Sequence, residues 1–261
     1  MTIKANWGEN VSVAMDGHVA VVTLDKAPNN HVSVALMRDL ADALEALDTD
    51  AAVRATVLQT AGKSFCAGAD FGGGDSISQS QDGVAALYEQ AARLFAAQKP
   101  IVAAVQGAAI GAGLGLAMMA DFRVAAPEAR FSANFVKLGY HPGFGLTHTL
   151  PRAIGAQQAA LMFLTGRRIK GEEALAMGLA EALVPLADLR AAALGLAREI
   201  AENAPLAILA TRRTLRSGLL EAVRAATAHE NGQQGPLRAS EDFAEGVRAV
   251  AERRPGNFRG R

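Results

Sequence analysis

Predicted strands and helices alternate along the first two-thirds of this sequence, and the alternation restricts the chain to α/β folds. Residues 19–24 and 53–58 are short β-branched runs that are typical of strands. Between them, Ser33 is placed to cap a helix. The apolar residues of that helix recur at three- and four-residue steps, at Leu36, Met37, Leu40, Leu44 and Leu47. The pattern predicts a strand, a helix and a second strand.

The alternation of predicted strands and helices continues to about residue 155, and helices alone are predicted after it. Residues 83–97 have helical spacing, whereas residues 101–105 and 122–126 are apolar runs typical of strands. From Gly155 onward every segment is predicted to be helical, over residues 157–164, 172–177, 186–203, 206–216 and 241–253. We therefore predict an α/β core over residues 1–200 and a C-terminal helical region over residues 201–261.

The charge balance excludes several classes of protein. The 261 residues carry 26 Lys plus Arg and 26 Asp plus Glu, a net charge of zero, which argues against a basic nucleic-acid-binding surface. A single cysteine, Cys66, permits no intrachain disulfide, and five scattered histidines give no metal-ligand pattern. We expect a cytoplasmic protein without a metal, whose partners are small molecules or other chains.

One uncharged stretch, residues 100–120, is long enough to raise the question of a membrane span. Gln106, Gly107, Gly111 and several alanines make it too weakly hydrophobic and too interrupted for that. We predict a buried strand, a turn and the start of a buried helix. The first ten residues contain no apolar run of signal-peptide length, so no export signal is expected.

Two segments rich in small residues expose their backbone after predicted strands. Residues 65–70 form one segment, and residues 106–113 form the other and lead into a helix. The free amides at a helix N-terminus carry partial positive charge, and two amides that converge on one carbonyl oxygen make an oxyanion hole. The alternative is that both segments are simple tight turns. A dinucleotide-binding loop at Gly111 and Gly113 is a weaker alternative, because the third small position is Leu116.

These segments belong to a wider resemblance. Ordered motifs lie at residues 22–25, 57–70, 99–107, 118–121, 138–143, 150–152, 164–167, 173–174, 178–180 and 242–246. Over nearly the whole chain, these motifs resemble those of the crotonase, or enoyl-CoA hydratase/isomerase, superfamily. The resemblance implies a spiral of ββα units, a C-terminal helical trimerisation region, and an acyl-CoA thioester as the partner, bound by a homotrimer or a dimer of trimers.

The resemblance also assigns residues to the site. The oxyanion-hole amides fall on Ala69 and Ala112, where relatives usually have glycine at the second position. Ala67 and Gly68 fall in the segment that contacts coenzyme A, and Arg253 matches a basic position that approaches the CoA nucleotide in some members. No cofactor is implied beyond the coenzyme A of the thioester itself.

Three positions that carry acids in relatives carry none here. The two hydratase glutamates correspond to Gly115 and Phe135, and the acid of some isomerases and dehalogenases corresponds to Gly143. Neither glycine nor phenylalanine can exchange a proton, so these three residues are predicted to shape the substrate pocket. Hydration by the two-glutamate route is therefore not expected.

Other side chains are candidates for substitute chemistry. His141 is a candidate acid or base and Tyr140 a candidate hydrogen-bond donor, although a backbone-bonded histidine and a packed aromatic ring are the alternatives. His31 is a candidate for the CoA entrance, and Tyr88 and Glu89 lie on a helix that can reach the pocket mouth. The remaining residues are predicted to be structural: Asp70 and Asp121 satisfy backbone donors, and Cys66 is an inert thiol.

The leading hypothesis is an acyl-CoA lyase or isomerase that stabilises a thioester enolate without the two glutamates. Decarboxylation is one such reaction, because loss of carbon dioxide generates the enolate without a base. The alternatives are a non-catalytic acyl-CoA-binding protein and, from the loop at Gly111, an NAD-dependent oxidoreductase.

Overall fold

Two β-sheets organise the fold in the computed structural model, which describes residues 4–69 and 81–261. The described strands are β1 (Asn6–Trp7), β2 (Val11–Asp16), β3 (Val19–Leu24), β4 (Ala55–Thr60), β5 (Ile101–Val105), β6 (Ala108–Ile110), β7 (Phe122–Ala125), β8 (Arg130–Ser132), β9 (Arg168–Lys170) and β10 (Ala182–Leu183). The larger sheet has the order β1-β2-β3-β4-β5-β7-β10, and the smaller has the order β6-β8-β9. From β3 to β10 the neighbours in the larger sheet are parallel.

Helices cover the sheets and form the C-terminal third. They are α1 (Val34–Thr49), α2 (Gln81–Phe95), α3 (Ala112–Met119), α4 (Leu146–Ile154), α5 (Ala156–Thr165), α6 (Gly171–Ala176), α7 (Leu189–Ala201), α8 (Pro205–Leu215), α9 (Leu219–Arg238) and α10 (Glu241–Ala251). A 3-10 helix spans Asn134–Leu138. The predicted cap of α1 is confirmed, because the Ser33 hydroxyl accepts a hydrogen bond from the Leu36 amide at 3.2 Å.

Both faces of the central parallel strands are buried, which explains their continuous apolar sequence. Side chains alternate between the faces along each strand. On β5, Val102 and Ala104 pack with α7, whereas Ile101, Ala103 and Val105 belong to the main core beneath α1 and α2. The α/β class predicted from the sequence is confirmed.

Several boundaries differ from the predictions. The strand predicted at residues 53–58 lies at Ala55–Thr60, and β2 was not predicted. The prediction that everything after Gly155 is helical is wrong, because Arg168–Lys170 pairs with β8 and Ala182–Leu183 pairs with β7. These strands are too short to show a periodic pattern. Two helices, Leu146–Ile154 and Leu219–Arg238, were also not predicted.

The C-terminal region returns to the α/β core. Helix α9 packs against α2 and α4, and α10 packs against the 3-10 helix. The break between α7 and α8 falls at the predicted boundary near residue 200, but the division into two units remains a prediction. Assembly into trimers also remains a prediction; Leu164, Leu206 and Leu215 are exposed in the single chain. Within residues 4–69 and 81–261, the helices are all too short or too polar to cross a membrane.

Candidate functional site

A cavity of about 370 Å³ lies between the α/β core and the C-terminal helices. Its walls come from residues 67–69, from α2, from the start of α3, from the 3-10 helix and the segment after it, and from α9 and α10. The volume is within the range of small-molecule sites. The predicted residues Ala67, Gly68, Ala69, Ala112 and Phe135 all line it.

The two segments rich in small residues meet as a parallel pair. Cys66 and Ala109 are bridge partners, with the Cys66 amide donating to the Ala108 carbonyl at 2.8 Å and the Ile110 amide donating to the Cys66 carbonyl at 3.0 Å. Ala69 and Ala112 each lie three residues beyond this bridge. The parallel register therefore brings the two predicted oxyanion-hole residues to the same edge of the cavity.

Both amides are available to a ligand. Within the described part of the chain, neither Ala69 nor Ala112 donates its amide to another backbone carbonyl. Ala112 is the first residue of α3, where an N–H has no acceptor inside the helix. The partial positive charge of the helix N-terminus adds to the attraction that this N–H exerts on an oxyanion.

Glycines allow the two segments to approach closely. A Cβ on Gly113 would lie 2.0 Å from the Cys66 carbonyl oxygen, and a Cβ on Gly68 would lie 2.8 Å from the Ile110 carbonyl oxygen. Gly68 also has a φ of +93°, which L side chains rarely adopt. The small residues noted in the sequence are therefore required for this pairing.

The 29–32 segment holds the first of these loops in place. The Ala67 amide donates to the Asn29 carbonyl at 3.0 Å, and the Val32 amide donates to the Gly68 carbonyl at 3.0 Å. The His31 Nδ1 atom also lies 3.2 Å from the Gly68 carbonyl oxygen, and His31 lines the cavity. The predicted place of His31 at the CoA entrance remains a prediction, and its ring contributes to fixing the loop before Ala69.

At two of the three positions that lack the acid found in relatives, Gly115 and Gly143, a side chain from elsewhere in the chain fills the space. A Cβ on Gly115 would lie 2.5 Å from Cδ1 of Phe144, whose fully buried side chain lines the cavity. Gly115 itself does not line the cavity, and its predicted role in shaping the substrate pocket remains a prediction. A Cβ on Gly143 would lie 1.9 Å from the Tyr88 hydroxyl oxygen. Phe135 lines the cavity beside Gly111.

Phe144 adopts a backbone conformation that is unfavourable for a phenylalanine. Its φ is +63°, in the left-handed region. The carboxylate of Glu230, which is fully buried, accepts hydrogen bonds from the Gly145 amide at 2.8 Å and from the Thr147 amide at 2.9 Å. Glu230 thereby fixes the residues that follow Phe144 and satisfies the N-terminus of α4.

We expect Gly115→Ala to lower the free energy of unfolding by about 1–3 kcal/mol, because the new methyl group overlaps the Phe144 ring. Gly195→Ala is the matched control: Gly195 is an exposed glycine within α7 with nothing within 4 Å of an added Cβ. It should stabilise the protein by up to about 1 kcal/mol. Urea denaturation measures both values, and equal effects at the two glycines would contradict the packing of Phe144 on Gly115.

Tyr140 and His141 lie in different surroundings. Tyr140 is buried and lines the cavity, its hydroxyl accepts a hydrogen bond from Arg238 Nη2 at 2.8 Å, and burial raises its pKa. His141 does not line the cavity: its Nδ1 lies 2.8 Å from the Pro142 carbonyl oxygen, and its ring meets the ring of the exposed His229 edge-on. The structure therefore does not bring His141 to the place predicted for an acid or base.

The remaining predicted residues are also not brought into the cavity. Glu89 is exposed on α2, and Arg253 is exposed just beyond α10, so its CoA contact remains a prediction. Burial raises the pKa of Cys66 to about 12, in agreement with an inert thiol. Asp121 accepts a hydrogen bond from the Ile101 amide at 2.8 Å, as predicted, and pairs with Arg212 of α8 and with Arg216 just after it. The composition of the Gly/Ser-rich stretch at residues 72–83 predicts a mobile loop. Most of this stretch and Asp70 lie outside the described residues.

Helix α9 supplies site residues that sequence reasoning missed. Glu230, Gln234 and Arg238 are four residues apart, so they share one face of the helix. Glu230 accepts a hydrogen bond from the Gly145 amide, and Gln234 accepts one from the Tyr88 hydroxyl. Arg238 donates a hydrogen bond to the Tyr140 hydroxyl. The four-residue spacing of these polar residues was the available signal. No group of His, Cys, Asp and Glu that could hold a metal occurs within residues 4–69 and 81–261.

The comparisons with known proteins identify the family. The family model described as enoyl-CoA hydratase/isomerase matches residues 14–261. The chain is 35% identical to 2,3-dehydroadipyl-CoA hydratase of Escherichia coli over 95% of this chain and 98% of that protein. It is 32% identical to the short-chain-enoyl-CoA hydratase of Clostridium acetobutylicum, over 94% and 95% of the two chains.

The solved structures show the same fold. The crystal structure of enoyl-CoA hydratase/isomerase from Pseudoalteromonas atlantica superposes with a TM-score of 0.83 at 30% identity, covering 96% of this chain and all of that one. The chain belongs to the enoyl-CoA hydratase/isomerase family, a family of acyl-CoA-processing enzymes in the crotonase superfamily. The fold class inferred from the resemblance is confirmed.

Proposed function

We propose that this protein is an acyl-CoA-processing enzyme in which the amides of Ala69 and Ala112 stabilise a thioester enolate. The observation that carries the proposal is the parallel register of Cys66 with Ala109, which sets the amides of Ala69 and Ala112 at one edge of the cavity. Within residues 4–69 and 81–261, neither amide donates to a backbone carbonyl. Negative charge that develops on the thioester oxygen is stabilised by such donors by a few kcal/mol each. The names of the relatives support an acyl-CoA substrate, and coenzyme A enters only as part of it.

We further propose that the enolate forms without a carboxylate base. Among the described lining residues there is no Asp, Glu, Lys, Arg or Cys. Phe144 and the Tyr88 hydroxyl take the space that side chains at positions 115 and 143 would use, and Phe135 keeps a third position apolar. This arrangement does not support hydration by two glutamates, although the relatives named above are hydratases.

Decarboxylation of a 2-carboxyacyl thioester fits such a site. The bond between the α-carbon and the carboxylate breaks, carbon dioxide leaves, and the electron pair forms the enolate, whose oxygen accepts hydrogen bonds from Ala69 and Ala112. A proton from solvent then adds to the α-carbon. An apolar wall such as Phe135 favours the loss of the charged carboxylate as neutral carbon dioxide.

A second candidate is a non-catalytic acyl-CoA-binding protein. The observation that favours it is the same lack of proton-transferring carboxylates among the described lining residues. The two candidates share the fold, the cavity and the ligand, and they differ only in whether the thioester is changed.

The test is mass spectrometry of saturated, unsaturated and 2-carboxylated acyl-CoA thioesters after incubation with the protein in deuterated water. The enzyme proposal predicts that at least one thioester loses carbon dioxide or takes up deuterium at the α-carbon. Calorimetric titration with CoA and butyryl-CoA is the companion measurement. Binding with every thioester recovered unchanged would favour the second candidate, and the absence of binding would contradict both.

A further inference from the structure

The Tyr88 hydroxyl occupies the space in the cavity wall that a side chain at Gly143 would fill. The point where a Cβ on Gly143 would lie is 1.9 Å from the Tyr88 hydroxyl oxygen and 2.7 Å from Gln234 Nε2. Tyr88 comes from α2 and Gln234 from α9, and both side chains are more than nine-tenths buried. The lack of a side chain at Gly143 therefore makes room for a hydroxyl that a distant part of the chain supplies.

The hydrogen bonds of Gln234 fix the direction in which the Tyr88 proton points. The Gln234 amide group donates from Nε2 to the His141 carbonyl at 2.9 Å and to the Pro142 carbonyl at 3.1 Å. Because carbonyl oxygens only accept, Nε2 must face them and Oε1 must face Tyr88. The Tyr88 hydroxyl therefore donates its single proton to Gln234 Oε1, at 2.9 Å.

Tyr88 stays neutral at working pH. Burial and the negative charge of Glu230 raise the pKa of Tyr88, and hydrogen bonds with Gln234 and the Phe144 backbone only partly oppose the shift. Oε1 of Gln234, an acceptor, would repel a phenolate at the same distance. Tyr88 is consequently a poor proton donor to substrate. With its proton committed to Gln234, its oxygen can take part in further hydrogen bonds only as an acceptor.

The surroundings make this acceptor selective. Val84, Leu87 and Phe144 line the same cavity as Tyr88, and their apolar side chains cannot form a hydrogen bond with the Tyr88 oxygen. The Tyr88 oxygen already has a hydrogen bond with the Phe144 backbone and keeps a second lone pair, which loses the free energy of its hydrogen bond with water when a ligand fills the cavity. A ligand that carries a donor at this point restores that hydrogen bond, whereas an apolar ligand leaves the second lone pair without a donor.

We propose that the Tyr88 hydroxyl, held by Gln234, is a specificity-determining acceptor for a hydroxyl group on the acyl chain of the thioester. The proposal rests on the proposed function, because it takes the cavity to be the acyl-CoA site. Tyr88 determines which acyl group binds, and Gln234 is a positioning residue that acts through Tyr88.

Titration calorimetry with thioesters that differ only in a hydroxyl group tests this proposal. The probes are butyryl-CoA, both enantiomers of 3-hydroxybutyryl-CoA, and 4-hydroxybutyryl-CoA. The native protein is expected to bind at least one hydroxylated thioester about 3- to 10-fold more tightly than butyryl-CoA. This ratio corresponds to the net free energy of one neutral hydrogen bond. Tyr88→Phe, which removes only the hydroxyl, is expected to abolish this preference and to retain the affinity for butyryl-CoA.

Tyr140→Phe is the matched control, because it removes the other tyrosine hydroxyl of the described cavity wall. That hydroxyl is bonded to Arg238, and we expect the ratio of the affinities to stay as in the native protein. Equal affinities of the native protein for all four thioesters would overturn the proposal, as would a preference that survives in Tyr88→Phe. In both cases butyryl-CoA would still bind, whereas a failure of butyryl-CoA to bind would overturn the proposed function itself.

Discussion

Ala112→Pro is expected to slow turnover of the thioester that the native protein converts by about 100- to 1000-fold, the usual effect of removing one oxyanion-hole donor. Proline lacks the N–H that we assign to the oxyanion hole. The first residue of a helix is also the position where proline is best tolerated, because that N–H has no acceptor within the helix. The fold of α3 should therefore survive while the donor is lost.

The control places the same substitution at an equivalent position away from the cavity. Ala156 is the exposed first residue of α5 and also follows a glycine. Ala156→Pro should leave the rate within about twofold, because a surface change outside the site alters little. The measurements are kcat, KM and the thermal midpoint of each variant. An Ala112→Pro enzyme that is folded and retains its kcat would contradict the role of this amide.

Glu230→Gln is expected to lower the free energy of unfolding by about 3 kcal/mol, because the charge is lost and one buried donor loses its acceptor. Both carboxylate oxygens of Glu230 accept from amides, at Gly145 and Thr147, and one also accepts from the Thr147 hydroxyl at 2.6 Å. Glutamine has the same shape but turns an NH₂ group towards one of these donors. The change therefore tests the hydrogen bonds and leaves the packing volume nearly constant.

Glu221→Gln on the same helix is the control. Glu221 is exposed in the first turn of α9, and its change should alter the free energy of unfolding by no more than about 0.5 kcal/mol. Urea denaturation followed by far-UV circular dichroism measures both variants. Similar small effects at the two positions would show that Glu230 does not hold the segment between Phe144 and Thr147.

The sequence predicted that the backbones of residues 65–70 and 106–113 are accessible, because a close approach of two backbones depends on small residues that are visible in the sequence. Gly68 and Gly113 sit where two strand ends must approach closely, and no other residue fits there. The strands before them are mostly apolar or β-branched, with Gln59 as the exception, and their burial on both faces follows. The assignment of Ala69 and Ala112 came from the family resemblance; both residues line the cavity, and their role as oxyanion-hole donors remains a prediction.

The helix that completes the site could not be predicted by hydrophobic periodicity. The buried positions of α9 are Val223, Thr227, Glu230 and Gln234, of which only one is apolar. The helix also contains Gly232, Gly235 and Pro236, which are unfavourable in helix interiors. Its stability comes from packing on α2 and α4 and from buried hydrogen bonds, which are tertiary interactions.

The side chains that replace the missing acids were equally hidden. Phe144 faces Gly115 from 29 positions further along the chain, and Tyr88 reaches Gly143 from α2. Spacing in the sequence carries no information about such encounters. His141 illustrates the reverse case: its place two residues before Gly143 suggested a catalytic role, but its ring lies next to His229.

The central claim is that the site forms a thioester enolate without a carboxylate base. One competition reaction tests it: crotonyl-CoA and malonyl-CoA are incubated together with the protein in deuterated water, and the mixture is analysed by mass spectrometry. The account predicts that malonyl-CoA becomes deuterated acetyl-CoA with loss of carbon dioxide, while crotonyl-CoA is recovered unchanged. Addition of deuterated water to crotonyl-CoA with malonyl-CoA left intact would contradict it.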